Sequence, residues 1–154
     1  MKIVTFIAGL LLSGILSASP VAQCFSPKGY TYYPEIGHIG QDSAGWKEDQ
    51  ISQGKVTLVK DADGKFDILF IDASETITSS RADGGTVAMV SRGKGSASFV
   101  VLYPGKTVET YTFVETTSGA LDFMMTTSRS GDNVVFTKAT VMVGNCSYIN
   151  FEEL

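Results

Sequence analysis

The sequence predicts an all-β protein, an up-and-down antiparallel meander of about eight strands that is closed or nearly closed into a β-barrel. From Lys55 onward, runs rich in Val, Ile, Thr, Phe and Tyr alternate with breaks rich in Gly, Asp, Asn and Pro. The breaks are too short for the crossovers that parallel strands need, so neighbouring strands must be antiparallel. No segment between Lys55 and Val143 repeats its apolar residues with a helical period.

The chain opens with the pattern of an export signal over residues 1–22. Lys2 precedes an apolar run from Ile3 to Leu16, and small residues follow it. The run is shorter than the ~20 residues that cross a membrane, although a permanent anchor is the alternative. We expect export to the periplasm or the extracellular space, with no transmembrane segment in the mature chain. Cleavage after Ser19 and cleavage after Ala22 both remain open.

The predicted mature domain, 23–154, begins with an irregular arm over about residues 24–53, where Pro and Gly are frequent. A short helix or turn is expected around residues 46–50. Aromatic residues on such an arm can rim a cavity or anchor a partner, and packing over a barrel end is the alternative. The candidate ligand-binding residues are Tyr30, Tyr32, Tyr33 and Trp46.

The two cysteines, Cys24 and Cys146, are expected to form a disulfide, because both lie in the mature chain of a protein predicted to reach an oxidising compartment. The bond would join the arm to the last strand. Two alternatives stay open. The residues before Cys24 resemble a bacterial lipoprotein signal, although Gln23 departs from it, so Cys24 could carry a lipid anchor. Both thiols could also stay free.

The eight predicted strands follow in order, each bounded by turn residues. Asp63-Gly64, Asp83-Gly84 and Pro104-Gly105 are the clearest turn signals. The strands are predicted over residues 55–60, 65–72, 75–80, 86–91, 98–103, 106–115, 120–127 and 134–143. The run 98–103 is apolar on both faces, and the arm is the expected cover for one of them.

Barrel closure is favoured because an open meander leaves two strand edges exposed, and closure removes them. An eight-stranded barrel has an interior that side chains just fill or that holds one small ligand. A two-layer β-sandwich is the alternative architecture.

Composition and motifs exclude several functions. The formal charge of −4, one unit more negative without Lys2, argues against nucleic acid as a partner. The acidic run 61–72 is interpreted as a hairpin turn rather than a calcium loop, and the single histidine, His38, as a loop residue. Glu109 and Glu115 are too far apart along one strand for a paired site, and both are expected to face solvent.

These observations predict an exported, non-enzymatic binding protein without metal or cofactor. The expected ligand is a small apolar molecule held in the barrel or at its end. The alternative is a protein-interaction or inhibitor module that acts through an exposed loop or sheet face.

Overall fold

A computed structural model describes residues 18–72 and 75–154. Residues 1–17 of the predicted leader, and residues 73 and 74 of a predicted break between strands, lie outside these ranges. The predicted all-β class is confirmed: the described residues form ten strands and one turn of 3-10 helix at Gln41–Ser43. The strands are β1 (Ser19–Tyr33), β2 (Gly45–Gln50), β3 (Lys55–Lys60), β4 (Phe66–Ile71), β5 (Ile77–Ser79), β6 (Thr86–Gly93), β7 (Ser96–Tyr103), β8 (Thr107–Glu115), β9 (Leu121–Arg129) and β10 (Lys138–Ile149).

All ten strands belong to one antiparallel sheet, in the order β5-β4-β3-β1-β10-β9-β8-β7-β6, with β2 also paired to β1. The sheet curls strongly into a half-barrel, which confirms the barrel-like prediction, but β5 and β6 do not pair and the barrel stays open. The first strand lies between β3 and β10, so strands from the two ends of the chain pair with each other at the middle of the sheet.

The predicted irregular arm contains two strands instead, and this is the largest difference from the sequence-based expectation. The Thr- and Tyr-rich end of β1 pairs with β10 on one side and with β2 on the other. Residues 45–50, expected to form a short helix or turn, are extended in β2. Proline is rare inside strands, so Pro27 argued against a strand here. The structure accommodates it in a bulge of β1, where the pairing register with β10 shifts between Phe25 and Lys28.

The interior is filled with aromatic rings at one end of the half-barrel, which we call the packed end. The ring centroids of Phe99 and Phe113 are 6.0 Å apart, and those of Phe113 and Phe123 are 6.4 Å apart. Phe66 of β4 meets Phe99 edge-on across the interior, with 5.0 Å between centroids. Strands near opposite edges of the sheet therefore share one core.

The chain's last residues cover the packed end. Leu154 is buried in the core, and the backbone nitrogen of Asn150 donates to the carbonyl oxygen of Val21. Lys60 Nζ of β3 donates to the carbonyl oxygen of Glu153 at 2.8 Å. From the other side of the opening, Arg92 of β6 donates to the carbonyl oxygen of Phe151 at 3.3 Å. The tail thus bridges the gap that the strands leave open.

The predicted disulfide between Cys24 and Cys146 is present and joins directly paired residues of β1 and β10. A lipid on Cys24 would need the sulfur that this bond uses. Val21 and Ala22, just before it, are fully buried in β1. The position of leader cleavage stays a prediction.

Candidate functional site: a cavity at the open end

The inward side chains of β8, β9 and β10 change from apolar to polar along each strand. At the packed end they are Phe113, Phe123 and Gly144. Moving toward the other end, which we call the open end, the inward residues follow in registered rows. The row next to the packed end consists of Tyr111, Met125 and Met142. The middle row consists of Glu109, Thr127 and Thr140. The outermost row consists of Thr107, Arg129 and Lys138.

A cavity of about 620 Å³ occupies the open end. Its walls combine methionines, aromatic rings and hydroxyls from the concave face of the sheet with a loop that follows β9. The walls include Ile51, Phe70, Thr78, Ser80, Tyr103, Thr107, Glu109, Tyr111, Met125, Thr127, Thr140 and Met142, and the loop contributes Asn133, Val134, Val135 and Phe136. A half-enclosed hollow of this size, lined by both apolar and polar side chains, has the features of a small-molecule site.

Glu109 lies on the wall of this cavity, so the expectation that it faces solvent is wrong. Its Oε2 accepts a hydrogen bond of 2.8 Å from the hydroxyl of Tyr111. Burial raises the pKa of the Glu109 carboxyl, while the Tyr111 hydrogen bond and the positive charge of Arg129 act in the opposite direction. Burial also raises the pKa of the Tyr111 hydroxyl well above its usual value. Glu115, six residues further along β8, is exposed.

In the same registered row as Glu109, two hydroxyls form a hydrogen-bonded chain with a carboxylate, and this chain links three strands. Thr31 Oγ1 of β1 donates to Asp49 Oδ2 of β2 at 2.7 Å. The same hydroxyl lies 2.9 Å from Thr140 Oγ1 of β10. Thr31 and Thr140 are both buried, so their partners compensate for the loss of water. The network fixes these side chains in the concave wall.

The outer rim of the cavity is rich in cations, although Asp83 also lines it, and part of its lip is apolar. Lys138 Nζ lies 5.9 Å from the centroid of the Tyr33 ring, and Lys106 and Arg129 also line the mouth. The strand predicted over residues 134–143 begins later than expected, at Lys138, so residues 134–137 belong to the loop between β9 and β10. Val135 in that loop is 77% exposed, which is unusual for a large aliphatic side chain. The loop therefore offers an apolar lip to whatever enters.

The four aromatic residues singled out from the sequence do not act as one group. Tyr33 points inward and lines the cavity. Tyr30, Tyr32 and Trp46 point outward, and the rings of Tyr32 and Trp46 pack 5.4 Å apart on the convex face. Alternation along β1 explains the split, since residues 30 and 32 share one face and residue 33 lies on the other. A ligand-binding role for these residues stays a prediction.

The convex face of the sheet carries several exposed apolar side chains among threonines and serines. Tyr30 of β1 pairs with Val141 of β10, and outward residues of β7, β8 and β9 continue the surface. Its exposed large side chains are Tyr30, Tyr32, Trp46, Leu102, Val108, Met124, Val141 and Val143. Leu102 is 44% exposed, so the arm does not cover the second apolar face of β7 as expected.

The other residues weighed from the sequence lie away from the cavity. Asp61 stabilises the β3–β4 turn, because its Oδ1 accepts from the backbone nitrogens of Asp63 and Lys65. Its other oxygen forms a 2.9 Å ion pair with Arg81, whose hydrogen bond lowers the pKa of Asp61. His38 is exposed in the loop after β1. Across residues 18–72 and 75–154, no three His, Cys, Asp or Glu side chains are grouped as metal ligands.

Sequence reasoning missed Glu109, Tyr111, Thr127 and Thr140 as cavity residues. The signal was present in β8, where Glu109 shares its face with Tyr111 and Phe113, and Val108 shares the other with threonines. The large rings mark the face that requires burial more strongly than the valines do.

The chain matches no protein-family model, no curated protein and no solved structure. Within the described residues, no helix has the length and apolarity needed to cross a membrane.

Proposed function

We propose that this protein binds a small, largely apolar molecule in the open-end cavity and catalyses no reaction on it. The observation that carries the proposal is the hollow of about 620 Å³ in a half-barrel whose other end is filled with phenylalanine rings. Small-molecule sites commonly measure roughly 300–1,000 Å³.

The wall chemistry supports an amphipathic ligand. Met125 and Met142 form part of the floor, and methionine side chains adapt to ligands of varied shape. Val134, Val135 and Phe136 offer apolar contact at the lip. Among the polar groups, Glu109 and Thr140 are fixed by hydrogen bonds, which suits them to orienting one end of a ligand.

Blocking the cavity tests the proposal. Thr127 lines the cavity and is buried, whereas its neighbour Thr126 points outward and bonds Thr110 at 2.6 Å between their hydroxyl oxygens. We expect Thr127→Trp to reduce the affinity for decan-1-ol about tenfold or more in titration calorimetry. Thr126→Trp, the matched control, leaves the affinity unchanged. Equal effects of the two variants, or no binding by the unmodified protein, would contradict the proposal.

The natural ligand can be sought directly by native mass spectrometry of the protein purified from its own compartment. A bound small molecule that disappears in Thr127→Trp supports the cavity as its site. A ligand-free mass in both proteins counts against it.

The convex face favours a second candidate function, binding of another protein chain. Trp46 is 61% exposed and Tyr30 is 52% exposed, on a face that carries further large apolar side chains. Several exposed large apolar side chains on one face are typical of interaction sites. Replacing Val141 with Lys should then abolish a protein complex seen in the same native spectra while leaving decan-1-ol binding intact.

We also propose that the protein is exported to the periplasm or the extracellular space. The Cys24–Cys146 bond supports this, because disulfides persist mainly in oxidising compartments. Cell fractionation tests the proposal, and recovery of the protein in the cytosol with two reactive thiols would contradict it.

A further inference from the structure

One row of the cavity wall differs from the rest, and we call it the polar row. It consists of the inward residues Glu109, Thr127 and Thr140, which line the cavity, and of the fully buried Thr31. All four are register partners across β8, β9, β10 and β1. Three of the four members are neutral hydroxyls. Glu109 is the one member with a carboxyl group.

The surroundings of Glu109 leave its negative charge poorly compensated. Its described hydrogen bond comes from the neutral hydroxyl of Tyr111 and engages Oε2. The row below contains Tyr111, Met125 and Met142, which provide no positive charge. A carboxylate held away from water is costly unless a cation or several donors reach it.

Apart from Asp49, which accepts from Thr31, the other charged groups that line the cavity lie nearer the mouth. Arg129 of β9 and Lys138 of β10 belong to the outermost row, one inward position further out than the polar row. Lys106 precedes β8, and Asp83, in the segment before β6, adds negative charge that raises the pKa of the Glu109 carboxyl. The inner wall is therefore negative and the outer rim mixed but rich in cations.

We infer that the ligand is an alkyl or aryl amine that enters with its ammonium group first and pairs with Glu109. The inference rests on the proposed binding function and assigns its ligand class. An ammonium group can donate to the free side of the Glu109 carboxylate and to the hydroxyls of Thr127 and Thr140. The apolar body then lies against the lip residues Val134 and Phe136.

A carboxylic acid suits this arrangement less well in either orientation. Entering head-first, it would place a second negative charge beside Glu109 in a poorly hydrated wall. Held at the rim by Arg129 or Lys138, it would direct its apolar body onto the carboxyl group of Glu109, which would lose the water it still contacts. Both orientations predict weaker binding than an amine of the same length.

Three probes with the same ten-carbon chain separate head group from body: decylamine, decan-1-ol and sodium decanoate. In titration calorimetry at neutral pH, we expect decylamine to bind about tenfold or more tightly than decanoate, with decan-1-ol between them. Glu109→Gln should remove this preference for the amine. The glutamine amide still accepts the Tyr111 hydrogen bond, so the fold is retained.

Glu115→Gln is the matched control, because it removes the same charge from the same strand at an exposed position. It should leave all three affinities unchanged, and an effect equal to that of Glu109→Gln would overturn the inference by pointing to net charge. If decan-1-ol and decanoate bind but decylamine binds no better, the amine inference fails and the proposed function stands. If none of the three probes binds the unmodified protein, the proposed function fails together with the inference.

Discussion

The two ends of the half-barrel are built from the same strands, but one end is filled with side chains and the other contains a cavity. At the packed end, β8 and β9 place Phe113 and Phe123 inward, and β10 places Gly144 there, where a side chain would overlap the Phe123 ring. At the open end, the same strands place Glu109, Thr127 and Thr140 inward, and a cavity remains.

The difference shows how one sheet can separate stability from binding. The packed end contains the disulfide, the aromatic rings and the tail, so it supplies most of the burial that favours folding. The open end has smaller, polar inward residues that fill less space. The strands that form the open end are stabilised by their packing at the packed end. The inward side chains of the open end are therefore available for a ligand.

The largest expected effect comes from removing the disulfide at the packed end. Cys24 and Cys146 are 122 residues apart in sequence. Closing a loop of that length stabilises the folded protein by about 4–5 kcal/mol in the chain-entropy model. Replacing both cysteines with alanine should lower the free energy of unfolding in urea by about this amount. Reduction of the unmodified protein should reproduce the loss, and unchanged stability in both experiments would contradict the prediction.

A pair of glycine substitutions compares the ends directly. Gly144→Ala places a methyl group against the Phe123 ring and the backbone of Phe25, and overpacking of this kind costs about 1–3 kcal/mol. Gly40 lies in the loop between β1 and β2. Its φ is −79°, and no atom lies within 4 Å of the position that a Cβ would take. Gly40→Ala should therefore be neutral or stabilise by less than about 1 kcal/mol. Urea unfolding measures both, and equal costs would remove the proposed distinction between the ends.

The smallest expected effect concerns the charge of Glu109. Because burial raises the pKa of its carboxyl above the ordinary 4.5, the folded protein binds this proton more tightly than the unfolded chain does. The ionised group therefore destabilises the fold above its folded pKa, and protonation relieves the cost as the pH falls toward 4.5. Glu109→Gln should raise the free energy of unfolding at neutral pH by under about 1 kcal/mol. The gain should vanish near pH 4, at which both states bind the proton.

Exposed Glu115 again provides the control for this pH dependence. Glu115→Gln should shift stability by a few tenths of a kcal/mol or less at either pH, since surface substitutions usually fall within about ±0.5 kcal/mol. A loss of stability in Glu109→Gln at neutral pH would show that Glu109 supports the fold in its charged form.

Much of the fold could be predicted because β-rich runs and turn residues are local signals. The turn at Asp63-Gly64 and the hairpin between β7 and β8 lie where the sequence places them. The strands β1 and β2 were missed because Pro27 and several glycines dominate the local pattern. The extended backbone there is stabilised by pairing of β1 with β10 and of β2 with β1. Similarly, residues 134–137 have strand-forming side chains but form a loop.

The candidate site was harder to predict than the fold. A cavity depends on which inward residues face one another across several strands, and those registers join distant parts of the sequence. Thr31 and Thr140 meet across 109 positions of the chain, and nothing local to either marks the contact. Of the aromatic candidates, Tyr33 lines the cavity because of its position in the alternation, not because its surroundings in sequence differ from those of Tyr32.

The sequence by itself determined the all-β class and the antiparallel arrangement, since composition and short turns each leave few alternatives. It predicted the pairing of Cys24 with Cys146, and the structure decided between that bond, a lipid on Cys24 and free thiols. The sequence also determined which residues of a strand share a face, because side chains alternate. Only the tertiary structure decided which face turns inward, where β1 enters the sheet and that one end stays hollow. Those outcomes depend on contacts between segments far apart in the chain, whose energies no local pattern contains.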